Sequence, residues 1–194
     1  MNPLQLLPPN SGSVWDEYVP ITTEGRTTNA YLSDGIAEPA AYNELCHKLA
    51  QAYPGDTFII HLNTPGGMID SAAMLREAIL NSKATTVAKL TGTVASAGTM
   101  IALACDELVL SRNLAFMCHE ISVSGISGKF SDIKNMQAFY EKEFARLTAD
   151  VYTGFLTPEE VASLHTGKEL WFNEYEVAEK WAAFKGTATP QPEF

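Results

Sequence analysis

The sequence predicts an α/β fold with a mostly parallel sheet. Short runs rich in apolar and β-branched residues alternate with longer segments whose apolar residues recur at helical spacing. This alternation is typical of strand–helix–strand units, in which a helix returns the chain to start a parallel strand. The chain has 194 residues, of which 46% are hydrophobic, and this is enough for one domain with a sizeable core.

The predicted elements follow in order, without internal repeats. Residues 1–27 are rich in Pro, Ser and Thr and are predicted to form an irregular N-terminal arm, whereas the tail at 187–194 is predicted to be flexible. A single domain is predicted between them, over residues 28–186. Strands are predicted at 57–62, 85–90, 107–110 and 114–119. Helices are predicted at 37–53, 68–82, 96–105, 132–153 and 174–184.

Two further segments have local signatures. Thr157 and Pro158, followed by Glu160, form the capping pattern of another helix, because a hydroxyl, a proline and acids favour a helix N-terminus. Residues 121–132 are rich in Gly and Ser and are predicted to form a flexible loop.

Charge and cysteine content exclude several classes of partner. The net charge of −10 argues against a nucleic acid or an anionic membrane, because both require a basic surface. We find neither a secretory signal nor an apolar run of the ~18 residues needed to span a bilayer. The odd number of cysteines, without metal-ligand spacing, predicts reduced, buried thiols at Cys46, Cys105 and Cys118 and a cytoplasmic location.

Two glycine-containing turns are the candidate site. Residues 63–67 (NTPGG) and 91–98 (TGTVASAG) each follow a predicted strand and precede a predicted helix. Each turn leaves backbone N–H groups free at a helix N-terminus, and two such turns side by side could bind an oxyanion. Gly66 and Gly67 allow positive φ and close approach of a substrate. The alternatives are a tight turn at Gly-Gly and a simple helix cap at Ser96.

A serine nucleophile at Ser96 requires a base, and His119 is the best candidate among the four histidines. It ends a predicted strand, where sites gather in α/β folds. His47 is predicted to lie on a surface helix and His61 within a strand. His165 is predicted to end a short helix.

Four separate motifs resemble those of the ClpP peptidases. They are NTPGGMIDSAAMLREAI at residue 63, GTVASAGTMIALA at residue 92, MCHE at residue 117 and GKFSDIKNMQAFYEKEF at residue 128. The resemblance covers about 31–181. It implies a ClpP/crotonase-like fold, a superhelix of ββα units with a long protruding handle helix, and a ClpP-like peptidase domain over 28–186.

The same resemblance implies roles for individual residues. Ser96 would be the nucleophile, His119 the general base, and the amides of Ala97 and of Gly67 or its neighbour Met68 the oxyanion donors, with Gly66 in the same turn. Glu169 falls where the family has an aspartate, and Glu174 and Glu176 are alternatives for this acid. The stretch after His119 would bind an extended substrate as an added strand.

The resemblance also implies an activity and partners. The activity is that of a serine endopeptidase acting on unfolded proteins or peptides, without a metal or an organic cofactor. A homo-oligomer of stacked heptameric rings is implied, with a possible AAA+ ATPase unfoldase that would consume the ATP. Phe130, Phe139 and Phe144 do not share one face of the long helix, which favours packing against other copies.

Three other functions remain open at this point. A phage-type member could trim capsid or scaffold proteins. A ring subunit without a working triad could serve as a catalytically inactive scaffold. A crotonase-type acyl-CoA enzyme could use the same turns to hold a thioester enolate, although no basic cluster for the CoA phosphates lies beside either turn.

Overall fold

The computed structural model describes residues 19–122 and 127–186, which form a single sheet flanked by helices. The predictions made for 1–18, 123–126 and 187–194 lie outside the described residues. The strands are β1 (Ile21–Glu24), β2 (Thr27–Leu32), β3 (Thr57–Thr64), β4 (Thr85–Ala95), β5 (Glu107–Leu110), β6 (Ala115–Cys118) and β7 (Leu170–Phe172). The α-helices are α1 (Asn43–Gln51), α2 (Ile69–Leu80), α3 (Ala97–Ala104), α4 (Phe130–Tyr152), α5 (Pro158–Leu164) and α6 (Glu174–Lys185). A short 3-10 helix at Pro39–Tyr42 leads into α1.

The strand order is β1-β2-β3-β4-β6-β7, with β5 also paired to β4. The pairs from β2 through β6 are parallel, whereas β1 on β2 and β7 on β6 are antiparallel. The predicted α/β fold with a mostly parallel sheet is therefore confirmed.

Strand β4 has two successive partners on the same side. Its first part pairs with β5 over Val87–Leu90, and its last part pairs with β6 over Thr93–Ala95. Between them lies Gly92, with a φ of 60°, where a Cβ would come within 2.8 Å of the Asn63 side chain. The sequence prediction ended this strand at residue 90 and assigned the following residues to a turn. That boundary is wrong, because the β-branched residues beyond Gly92 continue the pairing on β6.

Three strands were not predicted: β2 (Thr27–Leu32) and the two edge strands β1 and β7. β1 lies within the segment predicted as an irregular arm, so that prediction is wrong for Ile21–Glu24. β7 has only three residues and precedes α6. The edge strands β1 and β7 are each held by pairing to a longer neighbour. Strand β2 has six residues that alternate between more and less buried positions, a pattern that the prediction missed.

Helix α4 projects from the body of the molecule. Of its 23 residues only Thr148, Val151 and Tyr152, all in the last turns, are buried, and Phe130 at its start is 93% exposed. The long protruding helix is confirmed, although it begins two residues before the predicted start. No helix in the described ranges is both long and apolar enough to cross a bilayer.

The helix predicted from its capping pattern is α5. Thr157 Oγ1 accepts a hydrogen bond from the Glu160 amide at 3.2 Å, and Glu160 Oε2 accepts one from the Thr157 amide at 2.8 Å. This reciprocal capping box satisfies two amides that the first turn would otherwise leave without partners.

All three cysteines are free thiols. Cys105 and Cys118 are fully buried, as predicted, but Cys46 is only partly buried on α1. Burial raises the pKa of both Cys105 and Cys118 to about 12. These two thiols are therefore protonated at neutral pH and are unsuited to act as nucleophiles.

Candidate active site

Ser96 occupies a sharp turn between the end of β4 and the start of α3. Its backbone has a φ of 53° and a ψ of −123°, a conformation that non-glycine residues adopt at an energetic cost of about 1–3 kcal/mol. The Ser96 amide donates a hydrogen bond to the Met117 carbonyl at 2.8 Å, which ties the turn to β6. This strained conformation, held by neighbouring strands, is a common feature of functional sites.

The second turn, at Gly66 and Gly67, is packed directly against the first. Gly66 has a φ of 100°, and a Cβ there would lie 2.6 Å from the Ser96 Cβ. Gly67 has a φ of 150°, and a Cβ there would lie 2.3 Å from the Ile36 carbonyl oxygen. Neither position tolerates a side chain, so the glycines are required by close packing as well as by φ.

Hydrogen bonding decides which amides are free. The Met68 amide donates to the Ile36 carbonyl at 2.9 Å, and the Ile36 amide donates to the Gly66 carbonyl at 2.8 Å. Within the described part of the chain, the amides of Gly67 and Ala97 donate no hydrogen bond. Of the two candidates in the first turn, Met68 is therefore unavailable as an oxyanion donor, and Gly67 remains.

Most of the candidate residues line one cleft of about 370 Å³. Its lining includes Gly67, Met68, Ser96, Ala97 and His119. Gly66 lies behind it, against Ser96. One wall is apolar and comes mainly from α3 and the second half of α4; it includes Met100, Tyr140, Phe144 and Leu147. The cleft thus combines a serine, a histidine and two free amides with an apolar wall.

His119 directly follows β6 and is partly buried. Across the described residues, no hydrogen bond joins it to Ser96. The other histidines lie outside the cleft. His47 is exposed on α1 and His61 stacks on Tyr31, with ring centroids 4.3 Å apart. His165 follows α5 and packs edge-on against Phe144.

Glu169 immediately precedes β7, just as His119 immediately follows β6, and no hydrogen bond joins the two among the described residues. The antiparallel register of β6 and β7 pairs Cys118 with Leu170, and its extension by one residue pairs His119 with Glu169. The Glu169 carboxylate is exposed and accepts a hydrogen bond from Trp171 Nε1 at 3.2 Å. Of the two alternatives, Glu176 is engaged in the capping box of α6, and Glu174 is buried in its first turn.

A buried hydroxyl pair lies beneath Ser96, and the sequence did not reveal it. Thr99 Oγ1 donates a hydrogen bond to the Ser96 carbonyl at 2.7 Å and lies 2.7 Å from the Tyr152 hydroxyl. The only sequence signal is one hydroxyl within the otherwise apolar α3. Its partner is 53 residues away on α4.

Thr148, one turn before Tyr152, has a buried hydroxyl without a partner. The residue is 1% exposed on the apolar wall of the cleft, and its Oγ1 makes no hydrogen bond to any described residue. Because an unsatisfied buried hydroxyl costs about 1–3 kcal/mol, we expect Thr148→Val to raise the free energy of unfolding by about 1 kcal/mol. Urea denaturation measures this, with Thr86→Val as the matched control.

The control is a threonine of equal burial whose hydroxyl is hydrogen-bonded. Thr86 is also 1% exposed, but its Oγ1 donates to Asp106 Oδ2 at 2.8 Å, so Thr86→Val should lower the free energy of unfolding. A decrease for both variants would mean that the Thr148 hydroxyl has a partner in solution.

No group of three or more His, Cys, Asp or Glu side chains that could hold a metal ion occurs in residues 19–122 and 127–186.

Comparisons with known proteins identify the family of this chain. The profile of the Clp protease family matches residues 30–179, which is most of the chain. The chain is also similar to the ATP-dependent Clp protease proteolytic subunit 2 of Pseudomonas aeruginosa, with 28% identity over 163 residues that cover 79% of this chain and 78% of that protein. The matched region contains both glycine turns, His119 and α4. The chain belongs to the Clp protease family.

Proposed function

We propose that this chain is a serine endopeptidase that hydrolyses unfolded proteins or peptides, with Ser96 as nucleophile and His119 as general base. The main support for the proposal is the strained Ser96 turn, which lines the same cleft as His119 and the free amides of Gly67 and Ala97. This is the set of groups that acyl transfer requires.

In the proposed reaction, Ser96 Oγ attacks the carbonyl carbon of the scissile peptide bond and its proton passes to His119. The oxyanion accepts hydrogen bonds from the amides of Gly67 and Ala97. Collapse of the tetrahedral intermediate breaks the C–N bond, and the leaving amine takes the proton from His119. Water, deprotonated by His119, then releases the acyl group from Ser96.

Substrate binding is proposed to run along the chain that follows His119. Glu120, Ile121 and Ser122 line the cleft and are outside any strand, so their backbone can pair with an extended peptide. The apolar wall from Met100, Phe144 and Leu147 would receive a side chain next to the scissile bond. Among the described lining residues there is no Lys or Arg, which disfavours an acyl-CoA substrate.

Glu169 is proposed as the group that orients His119, on the basis of its place in the β6–β7 register. Since its carboxylate accepts from Trp171 rather than from the imidazole, its contribution should be small. We expect Glu169→Gln to lower kcat by about tenfold or less, far below the effect expected of a fully engaged triad acid. Peptide turnover measures this, and a loss of about 10⁴-fold would contradict the limited role.

Assembly is proposed to occur through α4 and to involve other copies of this chain. Phe130, Met136 and Phe139 are exposed on the projecting part of this helix, and exposed aromatic surface of this kind usually marks an interface. Stacked heptameric rings, an AAA+ unfoldase partner and a cytoplasmic location are further proposals that follow from the family. A catalytically inactive scaffold is the second candidate, favoured by the lack of a Ser96–His119 hydrogen bond among the described residues.

A fluorophosphonate probe distinguishes the two candidates. Such a probe reacts with activated serines, so the purified full chain should acquire one adduct, which peptide mapping by mass spectrometry should locate at Ser96. Ser71, whose hydroxyl donates to the Ala37 carbonyl at 2.6 Å, is an internal control that should stay unlabelled. Labelling together with turnover of unfolded casein supports the peptidase. An unlabelled chain that forms rings in native mass spectrometry supports the scaffold.

A further inference from the structure

We propose that Thr99 and Tyr152 are positioning residues for the oxyanion site, acting through the peptide unit between Ser96 and Ala97. This inference rests on the proposed peptidase function. It concerns two side chains that hold in place the backbone group that would bind the oxyanion.

The hydrogen-bond geometry fixes the direction of each donor. The Ser96 carbonyl can only accept, so Thr99 Oγ1 must donate its proton to it at 2.7 Å. Because that proton is committed, the Tyr152 hydroxyl must donate to Thr99 Oγ1, also across 2.7 Å. The result is a directed chain of hydrogen bonds from Tyr152 through Thr99 to the Ser96 carbonyl. Thr99 is fully buried and Tyr152 is 5% exposed, so water competes little with this chain.

The consequence for the site follows from the planarity of the peptide bond. The carbonyl of Ser96 and the amide of Ala97 belong to one rigid trans unit and point in opposite directions. Fixing the carbonyl on the buried side therefore fixes the direction of the Ala97 N–H on the cleft side. Hydrogen bonds that polarise a carbonyl also strengthen the N–H of the same unit as a donor.

The same peptide unit needs this support because of its backbone strain. Ser96 has a φ of 53°, and a strained residue persists only when its surroundings hold it. The Ser96 amide is held by Met117 on β6, and its carbonyl is held by the amide of Thr99 at 2.9 Å in addition to the hydroxyl. Tyr152 adds a link from the last turn of α4, so that three elements hold the two peptide groups on either side of the Ser96 Cα.

The test uses Thr99→Val and Tyr152→Phe, which remove hydroxyls with little change in shape. An oxyanion donor acts mainly in the transition state, so kcat should fall and KM should not change. Loss of a whole oxyanion donor lowers kcat by about 10²–10³-fold. Misalignment of the Ala97 amide should have a smaller effect, lowering kcat by about tenfold in Thr99→Val and about threefold in Tyr152→Phe. Thr99→Ser keeps the hydroxyl and should restore most of the lost rate.

The inhibition constant of a peptide aldehyde is a second measurement, and a loss of protein stability alone would not change it. The aldehyde forms a hemiacetal with Ser96 whose oxygen occupies the oxyanion site. The inhibition constants of the aldehyde should therefore weaken in proportion to the loss in kcat/KM across the variants. Thr86→Val, which breaks a buried threonine hydrogen bond at the start of β4, should lower stability but leave both quantities unchanged.

The outcomes separate this inference from the proposed function. If Thr99→Val and Tyr152→Phe both keep the wild-type kcat and the wild-type affinity for the aldehyde, the inference is overturned but the proposed function is not. The same holds if Thr99→Ser loses as much kcat as Thr99→Val. Absence of any cleavage that depends on Ser96 in the parent would overturn the proposed function and the inference together.

Discussion

Replacing Ser96 with alanine is expected to lower kcat for an unfolded protein or a fluorogenic peptide by on the order of 10⁴-fold or more. The substitution removes the attacking oxygen while the two free amides stay in place. His119→Ala should cause a loss of similar size, because the serine is a weak nucleophile when no base accepts its proton. Since the two act as a unit, the double variant should be no slower than either single variant.

Steady-state kinetics on the purified full chain measure these losses, with casein and short peptides as substrates. His61→Gln is the matched control, because His61 lies on β3 and stacks on Tyr31, away from the cleft. An unchanged rate in Ser96→Ala would show that the measured activity comes from another source. Additive losses in the double variant would show that Ser96 and His119 do not cooperate.

Gly66→Ala is expected to abolish most of the activity and to lower the free energy of unfolding by about 3 kcal/mol. The new methyl group would lie 2.6 Å from the Ser96 Cβ, 2.9 Å from the Ala95 carbonyl oxygen and 3.1 Å from Ser96 Oγ. No flexible side chain can move aside, because two of these atoms belong to the nucleophile and the third is backbone. The two turns must separate, and the oxyanion amides separate with them.

Gly25→Ala is the matched control for this prediction. Gly25 also has a positive φ, of 60°, but a Cβ there would meet nothing within 4 Å. It should therefore lose only about 1 kcal/mol of stability from the backbone conformation and should keep its activity. Urea denaturation and peptide turnover of both variants distinguish the effect of the steric contact with Ser96 from the effect of a positive φ on alanine. Equal effects at both positions would contradict the close packing at Gly66.

The central elements of the fold could be predicted from the sequence because their patterns are strong. The strand beginning at Thr57 opens with a run of β-branched and apolar residues, and the helix beginning at Ile69 has apolar residues at helical spacing, with the Gly-Gly turn between them. The boundaries that failed depend on tertiary pairing. The end of β4 is a strand because β6 lies beside it, and β7 is a strand because it lies beside β6.

The candidate site could be predicted in its backbone features but not in its buried contacts. Ser96, Gly66 and Gly67 stand out because strained turns demand small residues. The Thr99–Tyr152 hydrogen bond joins residues 53 positions apart, and no local periodicity encodes such a pair. The choice between the Gly67 and Met68 amides likewise depended on Ile36, whose backbone occupies one of them.

The two-partner arrangement of β4 also bears on when the chain first becomes active during synthesis. Ser96 and His119 follow different strands, and the hydrogen bond from the Ser96 amide to Met117 forms only when β6 joins β4. Strand β7, with Glu169 before it, must then be translated and added as the last strand of the sheet. Until β6 has been translated and has paired with β4, a nascent chain lacks this support for the Ser96 turn, so the proposed catalytic groups would be assembled only after most of the sheet has formed.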